Sequence, residues 1–257
     1  WRGGGLYLDS GGSSSLHACR IESNSAKQGG GGVYSFGNNT RITHCLIARN
    51  RSADFGGGLN LNTNCRAYID ACVIVGNIAE RLFGSAVYFR EDKSTLNFCT
   101  VSDNSGVAVD FINSSAVVEN SIIWGNDLVD IRQSGAAMPL LRYCVASTRE
   151  GDHWPGENNA TYDPRFVDAA NGDYHLSVLS PCINSGDPEY LYDPNLTDMD
   201  GSARELFGRV DIGAHESTAG PWVDSEPDGL PDAWELRYWQ DLSYNGVDDA
   251  DSDGLTN

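Results

Sequence analysis

The sequence predicts an all-β solenoid, a parallel β-helix with a small acidic tail, and three observations carry that reading. A cysteine recurs at Cys19, Cys45, Cys72 and Cys99, and each is followed five positions later by Asn24, Asn50, Asn77 and Asn104. A glycine cluster then leads into residues that alternate between apolar and polar. The repeat shows no helical periodicity and has no room for a crossover helix. A period of 26 to 27 residues marks a coil of stacked repeats.

Each repeat supplies about three short strands. The first follows the glycines: Gly3-Gly4-Gly5 before Leu6-Tyr7-Leu8, Gly30-Gly31-Gly32 before Val33-Tyr34, and Gly56-Gly57-Gly58 before Leu59-Asn60-Leu61. The pattern degrades to Gly84-Ser85-Ala86 before Val87-Tyr88-Phe89, then to Ala108-Val109-Asp110-Phe111. Alternation is the strand signal there. The second strand carries an apolar column three residues before the cysteine (Leu16, Ile42, Ile69, Leu96, Val118). The third carries a column two residues after it (Ile21, Ile47, Ile74, Val101, Ile123). The odd step breaks period two, so a corner lies between them. Ser121 with Asn126 continues the frame in a shortened repeat of 22 residues.

Equivalent positions in neighbouring coils lie about 4.8 Å apart, so like stacks on like. The asparagines are expected at a bend, bonding amide to amide between coils and satisfying groups that would otherwise be buried unpaired. Asparagine also tolerates the left-handed backbone of a sharp bend. The cysteine column reads as small buried apolar groups rather than disulfides. Cys65 is expected to be the exposed one, and the pairing of Cys65, Cys144 and Cys182 stays open.

The run Asn24-Ser25-Ala26-Lys27-Gln28-Gly29 to Gly32-Val33 resembles the repeats of bacterial right-handed β-helix surface proteins, including the polymorphic outer membrane protein type. The resemblance covers roughly residues 1–145. It does not extend to the calcium-binding nine-residue glycine repeat, whose short period is missing. What it implies is a right-handed coil in a secreted or cell-surface setting.

No apolar run is long enough for a membrane span, and no signal peptide is present. The first residues already sit inside a repeat, so the sequence reads as a piece of something longer. The net charge is −19. Residues 187–257 hold 18 of the 36 acidic residues against Arg204, Arg209 and Arg237, a net −15 that leaves −4 for the rest. An acidic chain is not expected to bind nucleic acid.

Residues 146–220 read as irregular closing coils. The pieces Asp163-Pro164-Arg165-Phe166-Val167-Asp168, Gly172-Asp173-Tyr174-His175-Leu176, Ser180-Pro181-Cys182-Ile183, Asp198-Met199-Asp200-Gly201 and Val210-Asp211-Ile212-Gly213-Ala214-His215-Glu216 are together similar to the choice-of-anchor Q domain. That family closes β-helices on bacterial exported proteins and implies no known chemistry.

The tail, residues 221–257, carries the sharpest chemical signal. Asp224, Glu226, Asp228, Gly229, Leu230, Asp232 and Glu235 occupy positions 1, 3, 5, 6, 7, 9 and 12 of a twelve-residue calcium loop. The spacing offers carboxylates, the Leu230 carbonyl and a terminal glutamate able to bind through both oxygens, and glycine at position 6 permits the turn. Residues 233–239 have the spacing of an exiting helix. A second copy begins at Asp249, with Asp251, Asp253, Gly254, Leu255 and Asn257. The pair resembles thrombospondin type 3 and dockerin-like calcium repeats. Asp198 and Asp200 with Gly201 lack a twelfth-position ligand and read as a plain turn.

Support for an enzyme is thin. A lyase on acidic sugars wants a basic groove, and the only lysines are Lys27 and Lys93. A hydrolase wants two carboxylates across a groove; Asp110, Glu119, Asp127 and Asp130 are candidates but read equally as ordinary surface residues. His17, His44, His153, His175 and His215 show no metal spacing and are given surface or packing roles. The column Tyr7, Tyr34, Asn60 and Tyr88 could present rings to a sugar chain, or it could simply favour β structure.

The expected molecule is an all-β, right-handed parallel β-helix with a small EF-hand-like calcium-binding tail. Its expected role is as a non-catalytic, secreted or cell-surface module for adhesion, spacing or assembly. A polysaccharide-binding or polysaccharide-degrading protein and an end-to-end filament subunit are the alternatives.

Overall fold

The computed structural model describes residues 2–150, 156–190, 196–220, 223–224, 228–239 and 242–243. Residues 6–150 wind into a parallel β-solenoid whose strands form three long sheets. The first face stacks Leu6–Leu8, Val33–Phe36, Leu59–Asn62, Val87–Arg90, Val107–Ile112, Val129–Ser134 and Arg149–Glu150. The second stacks Ser13–His17, Asn39–Thr43, Tyr68–Asp70, Thr95–Asn97, Val117–Glu119 and Leu140–Arg142. The third stacks Arg20–Glu22, Leu46–Ala48, Val73–Val75, Thr100–Ser102, Ile122–Trp124 and Val145–Ala146. A short fourth ladder joins Ser25–Ala26, Arg51–Ser52 and Ile78–Ala79.

Register follows the apolar columns. Leu16, Ile42, Ile69, Leu96, Val118 and Leu141 pair in sequence along the second face. Ile21, Ile47, Ile74, Val101 and Ile123 do the same along the third. Because side chains alternate across a strand, slipping any coil by one residue would turn its aliphatic side chain outward, so the columns fix the register. Both columns point into one core with the cysteines, and Phe89 stacks on Phe111 at 5.0 Å.

The corners lie where the broken alternation placed them. The residue immediately before each cysteine of the column or its serine replacement is left-handed: Ala18, His44, Ala71, Phe98, Asn120 and Tyr143 have φ between 46° and 55°. The second bend differs from expectation. Its left-handed residue is not the asparagine but its predecessor, namely Ser23, Arg49, Gly76, Asp103 and Gly125. The asparagine is there for its side chain, which must turn inward to reach the next coil. The glycine clusters have a steric cause: a Cβ on Gly31 would lie 2.3 Å from the Gly57 carbonyl oxygen of the neighbouring coil.

All seven cysteines are free thiols. Cys65, expected to be exposed, is fully buried. Its Sγ donates to the carbonyls of Ser35 at 3.2 Å and Asn62 at 3.0 Å, so the loop that carries it is folded inward onto the first face.

The closing region is a cover rather than a set of further coils. Glu157 and Ala160 still pair with Tyr143, Cys144 and Ala146, but residues 166–190 and 196–216 then lie back along the third face. The antiparallel hairpin Phe166–Asp168 and Asp173–Leu176 packs Tyr174 on Ala48, Val73 and Val75. Leu176, Cys182, Ile183 and Ile212 pack with Ile122 and Val145. Polar contacts tie the cover to successive coils: His44 Nε2 lies 3.0 Å from Thr197 Oγ1, Ala214 N–H donates to Thr100 Oγ1, and Asp187 N–H donates to Asn120 Oδ1. Past it, Asp232–Tyr238 is helical, as the tail's spacing of large residues predicts.

Candidate functional site

The hairpin strand Asp173–Leu176 alternates, sending Tyr174 and Leu176 onto the solenoid and His175 to the outer side. The turn at Asp198–Gly201 supplies the next group. Asp198 Oδ1 accepts from the N–H groups of Asp200 (3.0 Å) and Ser202 (2.7 Å), and its Oδ2 accepts from Glu216 N–H (2.8 Å). Gly201 completes the turn at φ 87°. One carboxylate thus ties the turn carrying Asp200 to the segment carrying His215.

Three side chains converge as a result. His175 Nε2 lies 2.7 Å from Asp200 Oδ2, and His215 Nδ1 lies 2.8 Å from the same oxygen. The imidazole centroids are 4.0 Å apart. On its far side His175 Nδ1 is 2.6 Å from Asp173 Oδ1. Among the described residues, His175, Asp200 and His215 form the one group of three His, Cys, Asp or Glu side chains whose ligand atoms all lie within 4.8 Å. A cavity of about 270 Å3 opens beside them, lined also by Asp198, Ser202 and Thr218.

The electrostatics follow from burial and these contacts. Burial draws the His175 pKa down, but the hydrogen bonds to Asp173 and Asp200 outweigh it and leave the imidazole raised. Burial lowers that of His215, with His175 adding to the effect. Asp200 is penalised by burial yet held below its usual value by the two imidazoles, and Asp173 is lowered by His175. Beneath the cluster, Asp211 accepts from Asn184 and Ser217 N–H groups, and Glu216 Oε2 accepts from Asp211 N–H. Burial raises both of these carboxyls. The Arg204 guanidinium lies over the Phe98 ring and donates to the Gly213 and Ala214 carbonyls. This lower layer is a structural support for the segment that bears His215.

His175 and His215 are scattered in the sequence, 40 residues apart, and the structure brings them together. No local spacing signals the pair. The one trace was the Asp198-Met199-Asp200-Gly201 turn, whose second aspartate joins the cluster.

The tyrosine column is mostly closed to solvent. Tyr34 and Tyr88 are only 3% and 6% exposed, so they offer no open platform to a sugar chain. Tyr7 stacks on Tyr34 at 5.4 Å with the Arg2 guanidinium also against that ring, and Phe55 covers Tyr88. Tyr7 alone of the three keeps an exposed ring.

In the tail, Asp224 accepts from the N–H groups of Asp228 and Gly229, and Asp228 accepts from Leu230. Gly229 is left-handed at φ 93°, while Asp232 and Glu235 are buried. The described carboxylates of this loop are not drawn into a group of three. Glu226 and the second copy, Asp249, Asp251, Asp253, Leu255 and Asn257, lie outside the described residues.

A family model described as a right-handed β-helix region matches residues 1–145. No curated protein and no solved structure matches the chain. With the matched coils making up more than half of the sequence, the chain belongs to the right-handed β-helix family.

Proposed function

We propose that the chain is a non-catalytic module of a secreted or cell-surface protein, a stiff solenoid used for adhesion, spacing or extracellular assembly. One observation carries the reading: the coil carboxylates that glycoside chemistry would need are committed to structure. Asp110 is fully buried in a bidentate pair with Arg132, at 3.0 and 2.6 Å. Glu119 is paired with Arg142 at 2.6 Å. Asp130 accepts from Asn126, Ser147 and Thr148. Asp127 is exposed but has none of the other three free to act with it. The similarity of the closing region to the choice-of-anchor Q domain, and of the coils to surface-protein repeats, supports the exported setting.

Calcium is the cofactor of this reading, held by the loop from Asp224 to Glu235. The left-handed Gly229 and the helix that follows support it. Polysaccharide, or another copy of the chain stacked end to end, is the partner the module would engage. Glycan-array binding together with a reducing-sugar assay on the full chain tests the proposal. Glycan retention or no interaction, without sugar release, agrees with it; sustained release of reducing ends overturns it.

A further inference from the structure

We propose that His175, Asp200 and His215 form a binding site for a divalent transition-metal ion, with zinc the best match to their chemistry. The inference is independent of whether the solenoid is adhesive or catalytic.

Donor type comes first. Two imidazole nitrogens and one carboxylate oxygen suit zinc and its first-row neighbours, whereas calcium and magnesium favour all-oxygen shells. The acidic tail and this cluster therefore select different ions.

Geometry comes second. Ligands bound to a tetrahedral zinc at about 2.0–2.2 Å stand roughly 3.3 Å from one another. Asp200 Oδ2 already lies 2.7 and 2.8 Å from the two ring nitrogens. Small side-chain rotations would admit the ion, and His175 and Asp200 are each half-exposed and free to make them.

The third element is the outer partner. Asp173 Oδ1 lies 2.6 Å from His175 Nδ1, on the side of the ring away from Asp200. His175 Nε2 in turn faces Asp200 Oδ2 at 2.7 Å, so the second ring nitrogen and the carboxylate point at the same place. A carboxylate behind a histidine is the arrangement that orients metal-bound imidazoles and raises their basicity.

The surroundings complete the site. The Asp198 carboxylate fixes the turn of Asp200 against the backbone of Glu216 before any ion arrives, so little ordering is left to binding. The adjoining cavity of about 270 Å3 accommodates water as a fourth ligand. The three ligands come from the hairpin, the turn and the segment after Val210, so the ion would clip together the pieces of the cover and secure it on the solenoid.

The full chain, stripped by chelator and then held in excess calcium to fill the tail, is titrated with Co2+ and with Zn2+. The expected result is one equivalent of Co2+ giving a visible d–d band that Zn2+ displaces. Asp200→Asn and His215→Gln should each weaken binding by at least tenfold, and Asp173→Asn by about 10- to 100-fold. His175→Gln, at a half-exposed position, serves as the ligand variant in which the fold is least at risk; its cooperative melting without metal is the control. Absence of a saturable Co2+ band overturns the proposal. Binding that is unchanged in His175→Gln and Asp200→Asn also overturns it.

Discussion

The carboxamide oxygen of Asn77 accepts two hydrogen bonds from Asn50 in the preceding coil, one from its backbone N–H and one from its Nδ2, both at 3.0 Å. Asn77 in turn donates to Asn104 Oδ1 and to the Ile47 carbonyl. Each amide thus closes a bend on both sides, in a place water does not reach. Asn77→Leu removes an acceptor and a donor at once and is expected to destabilise the solenoid by about 1 to 3 kcal/mol, because buried backbone groups lose their partners. Chemical denaturation reads this directly, and an unchanged midpoint would sink it.

The Asp110 and Arg132 pair should respond asymmetrically to mutation. Arg132→Ala strands a buried carboxylate and is expected to cost about 3 to 5 kcal/mol. Replacing both, as Asp110→Leu with Arg132→Met, should recover most of that loss, since two apolar groups need no compensation in that position. A double variant as unstable as the single one contradicts this account.

Thiol reactivity separates a stacked column from disulfides. Burial raises the Cys72 thiol well above its usual value and the Cys144 thiol to about 12, so neither is a nucleophile in the folded chain. In denaturant without reductant all seven cysteines are expected to react with an aromatic disulfide reagent. In the native chain Cys19, the one that is not buried, should react first. Fewer than seven equivalents after unfolding would indicate disulfides.

Asp92 supplies a pH dependence with a definite sign. Burial raises its carboxyl above the usual 3.8, against the opposing pull of the hydrogen bond from Ser114. A raised folded pKa means that its contribution to stability is fully present below pH 3.8 and is lost as pH rises through the folded value. Asp92→Asn should therefore flatten the fall in melting temperature as pH rises above 3.8. The comparison of wild type and variant across that window decides it, and identical slopes would remove Asp92 as the cause.

Calcium should act on the tail and leave the coils alone. Ten acidic residues against Arg237 from position 224 onward repel one another without a cation. Glu235→Gln removes charge and the bidentate contact, and calorimetry should show weaker calcium binding by tenfold or more. Equal affinities would mean that Glu235 is not a ligand.

The coils were legible because a repeat states its own constraints several times over. Leu96 is informative because Ile42 and Ile69 precede it at the same place in the frame. The broken alternation locates the corners, yet the left-handed residue is the one before the asparagine, because the bend needs the asparagine side chain and not its tolerance of that conformation. Cys65 differs for another reason: it lies on a loop, and loops do not follow the repeat. The meeting of His175 with His215 had no signature, because it depends on the Asp198 carboxylate bridging a turn and a segment 18 residues away.

The cover also acts as a ruler. An open solenoid can gain or lose a turn by duplication or deletion, because each turn meets only its neighbours. Here Thr197 is matched to His44, Ala214 to Thr100 and Asp187 to Asn120, so the cover measures off a stretch of several coils. Removing the 27 residues of one inner coil would leave every ladder intact and still shift those three contacts out of step. Length in this chain is fixed from the side, and repeat number can vary freely only in coils that the cover does not reach.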